Sequence, residues 1–402
     1  LGVKFAKRLL NQIKIMKKPL LLSTLVCTAI LWQCKKLDYQ SLNGNEQSAT
    51  FETLGVLDSS EQYFSNAVAI SDDGEIVVGN TDGYRGNPWG IKLQGFRWQG
   101  GNMEVLYNEN NSSLIFVEFL ATDISGDGSV IIGYGRTQSF HGWKSQGLHW
   151  EKDTITVLGG DGVEAKANGV SRDGSIITGY DSYRQTCYFP CYWKNSLYHS
   201  LDVDNLQANA TGGVGGIDVS GDGNKMIGSR FFRDQNGEIK SEYVIWKDTV
   251  PRSLSDFLIG SDFTKIIPHA ISEDGTTIIG TGVSSKGSEG FYLKNNQIYA
   301  LDESTNSDLT TVPLGVSSDG SVIVGTAKTT EAKNVAFIWT KDKGITNLED
   351  YIKEKFTINT GEWILTSATC VSANGKVIAG NAISKNNPDR EVAWRIKTDE
   401  LL

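Results

Sequence analysis

Six aspartates hold one place in a recurring turn: Asp73, Asp127, Asp173, Asp222, Asp274 and Asp319, spaced 45 to 54 residues apart. Turn carboxylates can hold calcium, which takes six to eight oxygens. Each turn here offers few oxygens, and the six lie on separate repeats. They are read as turn formers, because Asp and Gly tolerate left-handed backbone angles and Ser and Asp side chains bond nearby amides. "DVDN" at 202–205 begins like a calcium loop, but Gln207 and Gly213 at its sixth and twelfth positions exclude that reading. His141, His149, His199 and His269 are scattered and form no HExxH or HxxH pair. No GxSxG elbow or GxxxxGK[ST] loop occurs. Asp123 and Asp218 stand at equivalent repeat positions. They are read first as hydrogen-bonded structural groups and second as a carboxylate pair able to act on a glycan. No catalytic residue, metal or cofactor is expected.

Two other groups of residues invite a function. "CYFPC" places Cys187 and Cys191 where they could close a small disulfide loop, the alternative being two independent thiols. Aromatic and Arg residues gather in the segments that follow the first four recurring turns. They are Tyr84, Arg85, Trp89, Arg136, Phe140, His141, Trp143, Tyr183, Arg184, Tyr188, Phe231, Phe232 and Arg233. The equivalent segments of the last three repeats, "TGVSSKGSEG", "TAKTTEAKNV" and "NAISKNNPDRE", hold no aromatic residue. Aromatics and Arg are enriched at binding hot spots, so one half of one rim is a candidate surface for a protein, peptide or glycan. The competing reading is that the longer loops bury their own rings.

The elements that position these residues follow from the repeat itself. "SDDGEIVVGN" at 71 returns as "SGDGSVIIGY" at 125, "SRDGSIITGY" at 171, "SGDGNKMIGS" at 220, "SEDGTTIIGT" at 272, "SSDGSVIVGT" at 317 and "SANGKVIAGN" at 372. In the third copy a short strand, "ANGV", meets the Ser-Arg-Asp-Gly turn. "SIITG" follows, with adjacent apolar residues that suit a strand covered on both faces. A variable loop leads to "CYW", and a tight turn to "SLYHSL". Each copy is thus a four-stranded antiparallel meander. The third strand is marked by Trp98, Trp150, Trp193, Trp246, Trp339 and Trp394, with Leu293 as the exception. Just before each repeat Ser stands Ile70, Ile124, Val170, Val219, Ile271, Val316 or Val371, and one residue earlier Ala69, Asp123, Gly169, Asp218, Ala270, Gly315 or Cys370. The latter are small or short, as a strand near a crowded axis requires.

A lone four-stranded sheet cannot cover both faces, whereas sheets arranged around an axis can. The expected fold is all-β: a seven-bladed β-propeller of four-stranded antiparallel blades over residues 51–402. The last copy stops soon after its third strand, and "FETLGVL" at 51–57 stands before the first copy as a spare strand. Residues 51–57 are expected to complete the last blade and close the ring.

Charge and leader bound the setting. The chain of 402 residues carries a net charge of −9, but residues 1–36 hold eight Lys/Arg and no Asp/Glu. The remainder therefore has 30 Lys/Arg against 47 Asp/Glu, a net −17 that disfavours nucleic acid and anionic lipid. "MKKPLLLSTLVCTAILWQC" spans 16–34, with an apolar run of 13 residues, signal-peptide length and short for a membrane span. It resembles a bacterial lipoprotein signal with Leu31 at −3 and Cys34 as the lipidated residue; Gln33 stands where a small residue is usual. Residues 1–15 are read as an over-extended start before Met16, 16–33 as the signal peptide and 34–50 as a polar tether. An outer-membrane lipoprotein of the bacterial envelope is expected, monomeric, its membrane side open.

"LGGDGVEAKANGVSRDGSIITGY" with its aromatic-Trp strand, and "AFIWTKDKGITNLEDY" at 336–351, resemble the HAF family of bacterial extracellular repeats. The resemblance covers nearly all of 51–402 and implies an exported, repeat-built protein. It carries over no catalytic residue. Leu293 and Asn374 depart from the repeat. The function expected from all this is a lipid-anchored, non-enzymatic binding or adhesion protein. The alternative is an exported glycan hydrolase or lyase using channel carboxylates.

Overall fold

The computed structural model describes residues 49–57, 64–82, 93–106, 118–139, 142–159, 164–183, 187–201, 212–213, 215–302 and 310–400. Cys34, the leader and all of the tether except its last two residues lie outside them; residues 49 and 50, read as tether, belong to a strand. The described body is built of strands. In the first unit Ser65–Ile70, Ile76–Asp82, Leu93–Gln99 and Asn102–Val105 pair antiparallel in that order. Among the described residues six sheets form; five hold a single path of this kind, and the sixth joins the first two paths through a parallel pairing of Gln94 with Phe119.

The last path borrows its outer strand from the other end of the chain. Ala49–Gly55 pairs with Glu391–Thr398, from Ala49 opposite Thr398 to Gly55 opposite Ala393. The strand lies two residues earlier than the 51–57 read from the sequence. Phe51 packs on Trp394 at 6.4 Å, Leu54 is buried, and Arg395 bridges Glu52 and Glu75.

The recurring turn has one chemistry throughout. In the first unit Ser71 Oγ donates to Asp73 Oδ1 at 2.7 Å, and the Glu75 amide donates to the same oxygen at 2.9 Å. The Ile76 amide donates to Ser71 Oγ at 3.0 Å. Asn374 reproduces the arrangement, accepting from Ser372 Oγ and the Lys376 amide, both at 2.9 Å. An amide oxygen thus replaces the carboxylate without loss of the turn.

These turns also bond to one another. Asp72 N donates to Gly126 O, Asp127 N to Arg172 O, Arg172 N to Gly221 O, and Gly221 N to Glu273 O. Asp274 N donates to Ser318 O, Ser318 N to Ala373 O, and Ala373 N to Asp72 O. The series returns to its first member.

Behind each turn the inner strand carries a bulge, for example between Ala121 and Asp123. The extra residue is left unpaired, and several of these side chains bond to the next unit. Thr122 Oγ1 donates to Ala167 O at 2.8 Å and Asn168 Nδ2 to Gly216 O at 2.7 Å. Thr369 Oγ1 donates to Ala67 O at 3.0 Å. His269 Nδ1 lies 2.9 Å from Pro313 O, which can only accept, so this nitrogen carries the proton.

The third-strand tryptophans fill the spaces between sheets. Trp193, Trp246 and Trp394 are fully buried, Trp98 nearly so, and Leu293 is buried in the same role. Two connections form helices that the repeat does not announce. Ser253 caps the 3-10 turn Leu254–Leu258, and Asn347 caps the α-helix Leu348–Phe356, which buries Leu348, Tyr351, Ile352 and Phe356.

Of the two readings of Cys187 and Cys191, the strand geometry agrees with independent thiols. Both cysteines lie in the strand Cys187–Lys194, and Cys191 is a buried free thiol. Four extended residues separate their Cα atoms by about 13 Å, whereas a disulfide needs about 4.4–6.8 Å.

Candidate functional site

The architecture presents two faces. One carries the Ser-x-Asp-Gly turns; the other carries the hairpins between second and third strands together with the connections between units. A cavity of about 220 Å³ runs along the inner strands towards the turn face.

Asp123 and Asp218 line this cavity and act as structural groups. Asp123 Oδ1 accepts from the Ile124 amide at 2.8 Å, and Oδ2 from Val170 of the next unit at 2.9 Å. Asp218 accepts from Val219 at 2.8 Å and from Ile271 of its next unit at 2.9 Å. Every carboxylate oxygen therefore serves a backbone amide. Gly169 lies between the two, and a Cβ there would come within 2.7 Å of Asp218 Oδ1. Burial, and then the nearness of the other carboxylate, drives the Asp123 pKa well above the usual range; burial likewise raises Asp218.

The mouth of the cavity holds a different group. The residue after the repeat Ser is Asp72, Gly126, Arg172, Gly221, Glu273, Ser318 or Ala373. Asp72 Oδ2 reaches across Gly126 to Arg172 Nε at 2.6 Å. Glu273 leans over Gly221, and its buried Oε2 has no hydrogen-bond partner among the described residues. Burial, with Asp72 and Asp218 nearby, pushes its pKa to about 7. Sequence reading missed Glu273 because its position in the turn is variable; only the fold brings that position to the axis.

These shifts have opposite consequences for stability. Glu273 and Asp218 hold a proton in the folded protein at pH values where the unfolded chain would have lost it. Stability from them is present at mildly acidic pH and is lost as pH rises through their folded pKa values. The turn aspartates behave in the reverse sense. Partial burial opposes ionisation of Asp73, Asp127, Asp274 and Asp319, but the donated Ser and amide hydrogen bonds outweigh it and hold them below the usual value. Their contribution is lost below about pH 4. The melting temperature is expected to peak near pH 5 and to fall by about 2–5 °C by pH 8. Thermal melts across pH 3–9 check this; a plateau from pH 5 to 8 would rule out the burial of Glu273 as described.

On the hairpin face the units are unequal. The second unit has ten-residue strands, Val130–Ser139 and Gly142–Glu151, and the fourth has nine-residue strands, Lys225–Arg233 and Ile239–Lys247. The sixth unit has only seven-residue strands there. Between the second and third units Lys166 Nζ lies 3.9 Å above the Tyr134 ring. Tyr188 meets Tyr180 edge to face at 4.9 Å and donates to Glu164 Oε2 at 3.4 Å. Burial, and then the charge of Arg136, lowers the Lys166 pKa.

The rim residues expected from the sequence fare differently. Arg136 is exposed there and pairs with Glu118 at 2.9 Å. Arg233 is exposed and donates to Gly237 O at 2.6 Å. Phe231, expected on the surface, is instead buried against Phe189 at 6.0 Å, because a nine-residue strand turns it into the gap between units. Trp143 and Tyr183 lie in strands of the face, their side chains outside the described set. Tyr84, Arg85, Trp89, Phe140, His141 and Arg184 lie outside the described residues. Tyr134, Lys166 and Tyr180 were missed because the sequence reading took binding groups only from loops, and these three stand on strands.

No family model matches the chain, and no curated protein sequence matches it. Solved structures do. The β-propeller domain of the Trilobed protease from Pyrococcus furiosus, described as having an open velcro topology, is 12% identical with a TM-score of 0.56, over 84% of this chain and 94% of that one. Oligogalacturonate lyase from Vibrio parahaemolyticus is 11% identical with a TM-score of 0.53, over 87% of this chain and 98% of that one. At such identities the likeness shows the fold, a β-propeller, and nothing of the chemistry.

Proposed function

We propose that the chain is a closed seven-bladed propeller serving as an exported, lipid-anchored binding protein of the bacterial envelope, with its hairpin face as the recognition surface. Closure is supported by the turn-to-turn hydrogen bonds that return from Ala373 to Asp72 and by the borrowed strand Ala49–Gly55. Export and anchoring rest on the signal-like segment ending at Cys34, and the repeat's resemblance to HAF sequences agrees with them. Ala49 pairs with Thr398 at the turn-face end of its strand.

One observation carries the assignment of the face: the grouping of Tyr134 and Arg136 of the second unit with Lys166, Tyr180 and Tyr188 of the third. Aromatic rings and a half-buried cation offer contact area at low entropic cost. The ligand class is a protein, peptide or glycan, with no nucleic acid and no cofactor. The test is a screen of immobilised peptides, matrix proteins and glycans against the full chain and a Tyr134→Ala, Arg136→Ala, Lys166→Ala triple variant. Binding by the parent that falls about tenfold or more in a variant with an unchanged melting profile is the expected result. Equal binding by both would remove the face from the account.

A second reading, a glycan hydrolase or lyase, is favoured by Glu273 alone. Its buried carboxyl near neutral pKa, beside the Asp72–Arg172 pair, suits general acid or base work. Asp123 and Asp218 do not add to it, since both are committed to backbone amides.

A further inference from the structure

One inner-strand position sets the third unit apart. Five residues before the repeat Ser, the other units carry Asn66, Leu120, Gly215, Ile267, Val312 and Ser367; the third alone carries a charge, Lys166. The repeat does not require a cation there, so the meaning of Lys166 lies in what it touches. It stands opposite Tyr180 in the pairing of Ala165–Val170 with Ile176–Tyr183. Its Nζ lies 3.9 Å above the ring of Tyr134, in the unit before. Tyr134 and Arg136 share one face of the strand Val130–Ser139, since side chains alternate with a period of two. Val130 and Ile132, on that same face, are buried in one cluster with Ala167, Val170 and Ile177 of the third unit. The ring therefore faces the third unit, and the contact itself fixes where the ammonium ends.

The surrounding charges leave this ammonium without a counter-ion. Glu118 is taken by Arg136 at 2.9 Å, and Glu164 accepts from the Tyr188 hydroxyl at 3.4 Å. Both carboxylates act on Lys166 from a distance, and neither pairs with it among the described residues. Its contact is the electron-rich face of a ring, which attracts a cation without neutralising it. A half-buried ammonium gives up hydration for this. The hydroxyls of Tyr134 and Tyr180 make no hydrogen bond among the described residues, and burial raises both pKa values, so both remain donors. The group thus offers a ligand donors and one unpaired positive charge.

That offer is selective. A cation is repelled by Lys166 and Arg136. A pyranose needs acceptors for its hydroxyls and a free ring face, but both carboxylates are engaged and Lys166 caps the Tyr134 ring. A phosphate monoester brings nearly two negative charges, and Arg136 is already committed to Glu118. A carboxylate brings one charge and accepts from several donors at once. Peptides carry that group without hydroxyls that must also be satisfied.

We infer that Lys166, held over Tyr134, is a carboxylate-binding subsite for a peptide, receiving an acidic side chain or the chain end, with the charge of Arg136 beside it. The inference rests on the hairpin-face reading and names its ligand. It needs no covalent step. Tyr134 is a positioning residue, its ring setting where Nζ meets the anion. A bound carboxylate would also reverse the downward shift that burial and Arg136 impose on the Lys166 pKa.

The test uses the full chain on an array of peptides. Each is printed with a free C-terminus and as the C-terminal amide, and with its Asp and Glu kept or replaced by Asn and Gln. Oligosaccharides with and without uronic acids share the array. Lys166→Met keeps the length of the side chain and removes the charge, whereas Lys166→Arg keeps a cation over the ring. Tyr134→Phe keeps the ring and Tyr134→Leu removes it. Peptide binding is expected to drop about 10- to 100-fold when the carboxylate is neutralised, and by as much in Lys166→Met. Lys166→Arg and Tyr134→Phe stay within about threefold of the parent and Tyr134→Leu loses about tenfold, all with melting temperatures near the parent's. The amide and the Asn/Gln forms tell chain end from side chain. Peptide binding indifferent to the carboxylate, or to Lys166→Met, overturns the subsite while leaving the hairpin face as the recognition surface. Binding of uronate oligosaccharides without peptides likewise overturns the subsite alone. Full binding by Tyr134→Leu overturns the positioning role of the ring. Binding of neither class by the folded parent overturns both the subsite and the face.

Discussion

Removing residues 1–55 lowers the melting temperature by at least about 10 °C relative to removing 1–48, and broadens the transition. The two truncations differ only by the strand Ala49–Gly55 and therefore isolate the clasp. That strand covers Ala393, Trp394 and Ile396, all fully buried, and it contributes Leu54 and the Phe51 contact with Trp394. Burying Leu54 stabilises by about 1.5–3 kcal/mol, and each backbone hydrogen bond of the pairing adds about 0.5–1.5 kcal/mol. Their sum is on the order of 5 kcal/mol, a large part of what a protein of this kind commands. Without the strand Arg395 also loses Glu52, and the first and last units are left joined through Asn381, Thr369, the Ala373–Asp72 and Ala393–Ser65 hydrogen bonds and the pairing of Glu75 with Arg395 and Lys397. A synthetic peptide of residues 49–57 is expected to restore part of the loss. Equal melting of the two truncations would show that the ends are held by something other than this strand.

Gly133→Ala is expected to cost about 3 kcal/mol or more, while Gly147→Ala in the neighbouring strand stays within about 1 kcal/mol. At Gly133 a Cβ would strike the Leu120 carbonyl oxygen, with the carbonyl carbon at 2.9 Å and Ala121 Cα at 3.2 Å. The obstacle is backbone, held by the pairing on either side of the bulge, and it cannot rotate away. At Gly147 the nearest atom, Leu158 Cβ, is 3.4 Å away, an ordinary contact. The same collision recurs at Gly79, Gly179, Gly228, Gly280, Gly325 and Gly380, each against a carbonyl of its own inner strand. Chemical denaturation of the two single variants measures the difference. Similar midpoints would mean that the bulge can yield, and the account of the repeated glycine would fall.

That glycine shows how far the sequence could be read. Its recurrence in "IIGY", "MIGS" and their relatives is plain, but its cause is the bulge in a strand more than ten residues earlier, which no local pattern reveals. The four-stranded unit was legible because apolar pairs, the Ser-x-Asp-Gly turn and the third-strand Trp all repeat. The clasp was legible as a surplus strand, displaced by two residues because Ala49 and Thr50 are too ordinary to mark its start. "CYFPC" left two readings open because cysteine spacing alone does not show the backbone, and the segment is a regular strand paired along its whole length with Ile176–Tyr183. The helix Leu348–Phe356 was hidden by the repeat, although Leu348, Tyr351 and Ile352 have the spacing of one buried helical face.

The candidate site was legible only as an asymmetry. The sequence pointed to the first four units and mostly to loop residues, while the described groups proposed to build the face stand on strands. Glu273 could not be found from the sequence, since its neighbours across the axis come from the turns of the first, third and fourth repeats.

The recognition surface itself is most directly tested by hydrogen exchange on the full chain with and without a ligand retained from the screen. The account predicts slowed exchange confined to the hairpin tips of the second to fourth units, with the turns Ser71–Ile76 and Ser272–Thr277 unchanged. Protection at those turns, with the hairpins unchanged, would contradict it and move the site to the channel mouth and Glu273.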